Sequence, residues 1–509
     1  MSSSRTRPRA LAAVAALALP LLLGGTAAAG PPPAVDGAPG AGDPYFPTYG
    51  NGGYDALHYD LAVRYDPDTD RLSGRARLSL RPEQRLRSFH LDLVGLTVRD
   101  VRVGGEPARW QRRGAQELVV TPARPLERGR AVTVDVRYDG VPRSVSHPDL
   151  GTYGFLTTDD GALAVGAPEV AAHWFPSDDH PSDKATYRIA LTAPEGLQAV
   201  SNGLPVGRRV DGGWATTTWD VRDPMASYLA FMAVGHFDVH RWRTPSGLPV
   251  LDAVDSRLQG PLRARIDASL ARQGEIIAAQ EGWFGPYPFE AAGAVVDRTA
   301  TGSALENQTR PTYSPGIWDL APVPTLGDSV VVHELAHQWF GDSVALRRWK
   351  DVWLSEGFAT YAEWLWAERE FGFTPQETFD FFWSEPADSP AWQLRIGDPG
   401  PGRLFDPSVY LRGAMTLQAL RATVGESVFS DLLRTWAREH RDGHGTTQAF
   451  VALAERASGR PLQALFDAWL FTPGRPAHPT APAATDAARA AQLADHLGAW
   501  QRGLHARHG

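Results

Sequence analysis

From Tyr59 onward apolar and polar positions alternate: Tyr59, Leu61, Val63 and Tyr65 are separated by Asp60, Ala62 and Arg64. A period of two puts the two sets on opposite faces of the chain, which predicts a half-buried β-strand. Leu78 and Leu80 resume the alternation after a turn, and strand-like runs recur over 89–94, 118–121, 132–138, 186–191, 216–221 and 228–234 with turn residues between them. These runs predict an all-β domain over 45–240, curved or saddle-like. The acidic turn 66–70 looks like the start of a calcium loop. Arg71 and Arg77 stand where such a loop needs Gly and Glu, which leaves a solvated hairpin turn.

Past Pro261 the period lengthens. Leu262, Ile266, Leu270 and Ile277 mark one helical face, and Gly285, Pro286 and Pro288 then interrupt it. Helical patterns follow over 356–371, 410–423, 427–439, 447–457 and 461–470. The reading is a mainly helical domain over 241–475 and a linker and tail over 476–509. The expected fold class is α+β, an N-terminal β domain followed by a helical one.

The richest segment for chemistry is His333-Glu334-Leu335-Ala336-His337. Two His four apart on a helix project from one face, one turn apart, so both imidazoles reach a single metal ion. Such a five-residue pattern arises by chance on the order of a few per cent of the time in a chain of this length. Here it interrupts the apolar run Val330, Val331, Val332, Leu335, Ala336, Trp339 and Phe340, where unpartnered polar groups are costly. Glu356 follows His337 after eighteen intervening residues and opens the next helical stretch. Two His and one carboxylate leave a fourth position for water, the arrangement of catalytic zinc. Glu334, beside the first ligand, is then placed to act as general base.

Composition narrows the setting. The 509 residues are 43% hydrophobic and 21% charged with net charge −8, an ordinary globular balance with room for two to four domains. No basic stripe with interleaved aromatics points to a nucleic-acid partner. The absence of cysteine excludes disulfides and thiolate ligands, so the metal site must use His and carboxylate. Arg5, Arg7 and Arg9, an apolar run over 10–23 and Ala27-Ala28-Ala29 read as a signal peptide over 1–29, cleaved after Ala29. The expectation is a secreted protein with no membrane association once the signal is removed. Residues 30–44, rich in Pro, Gly and Ala, are expected to be a disordered leader.

Several segments together resemble the zinc aminopeptidases typified by aminopeptidase N, a gluzincin family. His333 to Gly341 is close to the family's metal helix, and Trp353-Leu354-Ser355-Glu356-Gly357-Phe358-Ala359 is similar to its third-ligand segment, with Ser355 where Asn is usual. Phe284 to Phe289 matches a segment upstream of the active site, and Phe175-Pro176, Asp179, Pro181 and Lys184-Ala185 resemble the β-domain signature. The resemblance covers roughly residues 50–475. It implies a saddle-like β domain, a thermolysin-like catalytic domain and one Zn2+ per chain on His333, His337 and Glu356. It also implies a short form without the family's long helical C-terminal domain.

The resemblance carries over further residues. Ser303-Ala304-Leu305-Glu306-Asn307 aligns with the family's Gly-Ala-Met-Glu-Asn motif. It implies that Glu306 binds the substrate's α-ammonium while the backbone around Ala304 and Asn307 pairs with the peptide like an added strand. Tyr410 lies in a segment similar to the family's Tyr-x-Lys-Gly-Ala, which implies an oxyanion donor. Glu169 is the nearest candidate for the family's β-domain Gln or Glu at the ammonium, at a shorter spacing from Phe175-Pro176 than usual. The expected activity is removal of the N-terminal residue from peptides with a free amine. The competing readings are a secreted endopeptidase, an epoxide hydrolase and an inactive peptide-binding member. Asp342 and Asp351 are read as surface carboxylates, or else as groups that orient the ligand imidazoles. Oligomeric state is left open.

Overall fold

The structure, a computed structural model, describes residues 32–147, 151–298, 304–319, 325–480 and 489–498. The expected signal peptide and Ser303 lie outside the described residues.

The alternating strand becomes Tyr54–Asp66, with Tyr59, Leu61, Val63 and Tyr65 buried and the intervening side chains turned outward. It pairs antiparallel with Arg71–Pro82 through the 66–70 hairpin, where the Tyr65 hydroxyl donates to Asp70 at 2.8 Å. On its other edge it runs parallel to Lys184–Pro194 in the middle of an eight-stranded sheet. A four-stranded and a five-stranded sheet complete the β domain. The stretch 228–234, expected as one strand, is a 3-10 turn over Ser227–Leu229 followed by the strand Met232–Gly235.

The chain changes sheet between Gly235 and Phe237. A second five-stranded sheet follows, in the order Phe237–Arg243, Pro249–Asp255, Ala292–Val296, Thr312–Tyr313, Ala304–Leu305. Its central strand is buried on both faces, so no alternation announces it in the sequence. The longer helices among the described residues include α1 (Gly260–Ala271), α2 (Gln273–Phe284), α3 (Thr325–His337), α4 (Trp353–Phe371), α5 (Pro375–Trp383), α6 (Pro407–Val424), α7 (Glu426–Glu439) and α8 (Thr447–Ser458). Helix α5, not anticipated from periodicity, carries a complete capping box between Thr374 and Glu377. Among the described residues no helix is long and apolar enough to cross a membrane.

The segment expected to be a disordered leader is held in place. Val35–Asp36 pairs with Leu86–Asp92, and Ala38 bridges to Gly52. Asp43 is buried and accepts from the backbone N–H of Tyr45 at 2.8 Å, Phe46 at 3.2 Å and Trp349 at 2.9 Å. Composition pointed to disorder, but specific hydrogen bonds supply what apolar burial does not. At the other end, residues 489–498 are helical, with Leu493 and Leu497 buried and Arg489 paired with Glu377 at 2.6 Å.

Candidate metal centre

Helix α3 runs through the core: Val330, Val331, Val332, Leu335 and Ala336 are all essentially inaccessible. This packing fixes the helix face that carries His333 and His337, whose rings lie 4.7 Å apart. Glu356, in the first turn of α4, brings one carboxylate oxygen to 3.3 Å from the Nε2 of each His. The three donor atoms lie within 4.8 Å of one another, and all three residues are buried.

Helix α4 reaches this position by crossing α6 at a glycine contact. A Cβ on Gly357 would lie 2.8 Å from the Cα of Gly413, and one on Gly413 would lie 2.7 Å from the Cα of Gly357. Glycine on both sides lets the helix backbones touch. The crossing fixes the two helices that carry Glu356, one residue before Gly357, and Tyr410, three before Gly413. The Tyr410 ring lies 5.9 Å from that of His333 at 23°.

Each imidazole is oriented through its other nitrogen. His333 Nδ1 lies 2.8 Å from Glu363, and the Ser329 hydroxyl donates to the second oxygen of the same carboxylate. His337 Nδ1 donates to the Phe340 carbonyl at 3.1 Å. Ser355, which stands where the family usually has Asn, places its hydroxyl 3.0 Å from both groups. With the Nδ1 protons so placed, both Nε2 lone pairs face the Glu356 carboxylate, the tautomer a metal requires. Burial alone would lower the His333 pKa, but Glu356 and Glu363 outweigh it and hold it above the ordinary value. Burial would raise that of Glu356, and the two imidazoles instead pull it well below the usual carboxylate range. A buried cluster of two imidazole nitrogens and one carboxylate, each held from behind, fits a single zinc ion.

Glu334 is buried on the same helix, and its charge acts on His337 and Asp342. Glu306 follows the edge strand Ala304–Leu305 of the second sheet, which pairs with Thr312–Tyr313 on one side. Burial raises the Glu306 pKa, and Glu356 adds to the rise while His337 opposes it, which places the carboxylate within range of the metal donors. The Tyr228 phenol hydrogen-bonds to Glu306, and burial with the charges of Glu306, Asp342 and Glu356 holds its pKa far above normal.

The Glu306 segment is bound tightly to its surroundings. Gln338 donates to the Glu306 carbonyl at 3.2 Å and accepts from the Thr309 N–H at 2.7 Å. Asn307 is buried, donating to the Leu229 carbonyl at 3.1 Å and accepting from Thr312 at 3.0 Å. Its side chain holds the segment in place. Arg310, also buried, donates to the carbonyls of Leu251, Ser201 and Gly203 and stacks over Trp219, tying the segment to the β domain.

Glu169 sits in a buried cluster with Tyr49, Tyr153 and His173, its carboxylate 3.7 Å from the His173 ring. Neither Asp342 nor Asp351 is a surface residue. Asp351 accepts from the Thr447 N–H at 3.1 Å and its hydroxyl at 2.6 Å, which caps α8 and leaves the imidazoles to other groups. Asp342 is fully buried just past α3, and Lys184 donates to its backbone carbonyl at 2.7 Å and to that of Ser343 at 2.9 Å. The functional groups that sequence reasoning missed are Glu363, Ser329 and Tyr228. Glu363 had a signal: it lies seven residues after Glu356, two turns along one face of α4.

Comparison with known proteins agrees with this geometry. The family description "Peptidase M1 N-terminal domain" matches residues 55–229, and "Peptidase family M1 domain" matches residues 271–469. Aminopeptidase M1 of Arabidopsis thaliana is 27% identical over 331 residues, covering 62% of this chain and 37% of the relative. Glutamyl aminopeptidase of Bos taurus is 25% identical over 457 residues, covering 82% of this chain and 47% of the relative. The chain thus spans about half, or less, of the length of these curated relatives. Solved structures match over their whole length. An M1 zinc metallopeptidase from Deinococcus radiodurans superposes with TM-score 0.77 at 29% identity over 88% of this chain and 100% of that one. A mutant of a two-domain M1 zinc metallopeptidase bound to L-arginine gives TM-score 0.78 at 28% identity, over 87% of this chain and 100% of that one. From its metal donors, its two-domain architecture and these matches, the chain belongs to the peptidase M1 family, with an N-terminal β-rich domain followed by a mainly helical zinc-peptidase domain.

Proposed function

We propose that the chain is a zinc aminopeptidase that removes the N-terminal residue from peptides with a free amine. The observation that carries this reading is the juxtaposition of two features: a complete zinc donor set, and a carboxylate, Glu306, on a sheet-edge segment facing it. His333, His337 and Glu356 hold the ion, which supplies Lewis acidity to the scissile carbonyl and to the attacking water. Glu334 accepts the water's proton and delivers it to the leaving amine. The Tyr410 phenol donates to the oxygen on which negative charge develops. Glu306 pairs with the α-ammonium, which would bring the bond next to the N-terminal residue to the site formed by His333, His337 and Glu356. The edge of Ala304–Leu305 that Thr312–Tyr313 leaves open offers its backbone to the peptide as an added strand. A solved M1 zinc metallopeptidase bound to a Tyr-Ser-Ala substrate, TM-score 0.76 at 29% identity, supports a peptide in such a site. On the pattern of residues 1–29, the protein is proposed to be secreted after cleavage behind Ala29.

The test is a panel of aminoacyl chromogenic substrates assayed with and without a chelator, alongside Glu334→Ala. The expected result is chelator-sensitive hydrolysis by the wild type. Glu334→Ala is expected to retain one zinc per chain and lose about 10²–10⁴-fold in rate. Unchanged turnover in that variant would remove Glu334 as the base.

A further inference from the structure

Beside Glu363, the carboxylate behind the His333 ring, lies a cavity of about 20 Å³. Ser329 and Glu363, which brace His333, form part of its wall, with Trp364 and Thr378 beside them. Trp366, Ala367 and Phe371 of α4 add to the wall, and the C-terminal helix 489–498 contributes His496 and Leu497. This helix is docked by definite contacts. The His496 ring packs 5.0 Å from Phe371 and 5.4 Å from Phe373, Leu493 and Leu497 are buried, and Arg489 pairs with Glu377.

The size and lining of the cavity are informative. A space of about 10–15 Å³ or more on this measure admits one water, provided two to four polar groups receive it. The indole N–H of Trp364 is buried and meets no protein acceptor among the described residues. A donor in that position needs a partner. The Glu363 carboxylate lines the same cavity. The imidazole of His496 is near enough for the Glu363 charge to act on it.

We propose that this cavity holds one structural water that accepts from Trp364 and joins His496 to Glu363, and that the C-terminal helix is thereby a positioning element for the metal ligand His333. The inference rests on the metal-centre reading of His333, His337 and Glu356. The tail that follows the catalytic domain then seals the rear of the site and keeps the Glu363 carboxylate aimed at His333 Nδ1. The route from tail to metal is His496, water, Glu363, His333.

The experiment compares full-length wild type, His496→Phe and His496→Gln in equilibrium competition for zinc against a chelator, with apo-protein unfolding midpoints measured in parallel. Phe keeps the packing on Phe371 and Phe373 and deletes the ring nitrogens, while Gln keeps a polar group. His496→Phe is expected to hold zinc about fivefold more weakly at an unchanged midpoint, and His496→Gln to recover most of the loss. A crystal structure of the wild type is expected to show one water within hydrogen-bond distance of Trp364 Nε1 and a Glu363 oxygen. Zinc affinity of His496→Phe equal to wild type, or a dry cavity, overturns the proposal. A wild type that binds no zinc overturns the metal-centre reading itself.

Discussion

Glu363 is not one of the three metal donors, yet it holds one of them from behind. Its carboxylate lies 2.8 Å from His333 Nδ1, takes the Ser329 hydroxyl on the other oxygen and is buried. A hydrogen bond to a charged partner contributes about 1.5–3 kcal/mol and a neutral one about 0.5–1.5 kcal/mol. Glu363→Gln keeps the shape and an acceptor but removes the charge, a loss of about 1–1.5 kcal/mol. At about 1.4 kcal/mol per tenfold this weakens zinc binding about five- to tenfold. Glu363→Ala also strands the His333 and Ser329 donors, so the cost rises to about 2–3 kcal/mol and the weakening to about 30–140-fold. The assay is equilibrium competition against a chelator of known affinity, with unfolding of the apo protein as control. Ala is favourable in a helix interior, so α4 itself should persist. The expected order is wild type, then Gln, then Ala. Equal affinity for wild type and Glu363→Ala would refute the claim that this carboxylate orients the ligand.

Gly413→Ala is expected to force α4 and α6 apart, destabilising the fold by about 1–3 kcal/mol in denaturant unfolding and lowering zinc affinity together with turnover, since Glu356 and Tyr410 ride on the two helices. Tyr410→Phe is expected to lower kcat about 10²–10³-fold with zinc content unchanged; steady-state kinetics and metal analysis check both halves. The buried ammonium of Lys184 is pushed down to about 8 from 10.5 by burial, against the pull of nearby Asp442 and Asp342. The unfolded chain then binds the extra proton between these values, so this group's contribution to stability is fully present above about 10.5 and is lost as pH falls through 8. Urea unfolding at about pH 8 and about pH 10 should therefore show a rise in stability with pH that is larger in wild type than in Lys184→Met; equal slopes would contradict the assignment.

The parts of this molecule that repeat a simple period were open to reading from the chain. Tyr59 to Tyr65 announced the central β strand because one of its faces is buried and the other is wet. The metal helix announced itself because His333 and His337 interrupt a hydrophobic run. The strand Ala292–Val296, buried on both faces, carried no alternation, and α5 was marked by its cap more than by its pattern. The three metal donors were legible from spacing alone. Their supports were less so: Tyr228 reaches the site from a chain position with no fixed spacing to it, and Ser329, one turn before His333 on α3, is a residue type that carries no mark of a metal site. Asp342 and Asp351 misled for the same reason. An Asp in sequence carries no mark of burial, and both lie in the interior, Asp351 received by Thr447 and Asp342 on a segment whose backbone Lys184 holds. The N-terminal segment misled by composition, since Asp43 alone collects three backbone N–H donors.

The central claim is that one zinc site acts on the bond next to a free N-terminus because Glu306 holds the ammonium. The most direct measurement is kcat/KM of the zinc-loaded protein for one peptide in its free and N-acetylated forms. Acetylation removes the charge that Glu306 pairs with and leaves that carboxylate stranded in a partly buried site, so the free peptide is expected to be cleaved at least about 10²-fold faster. Equal rates for the two forms would contradict the account and point to an endopeptidase.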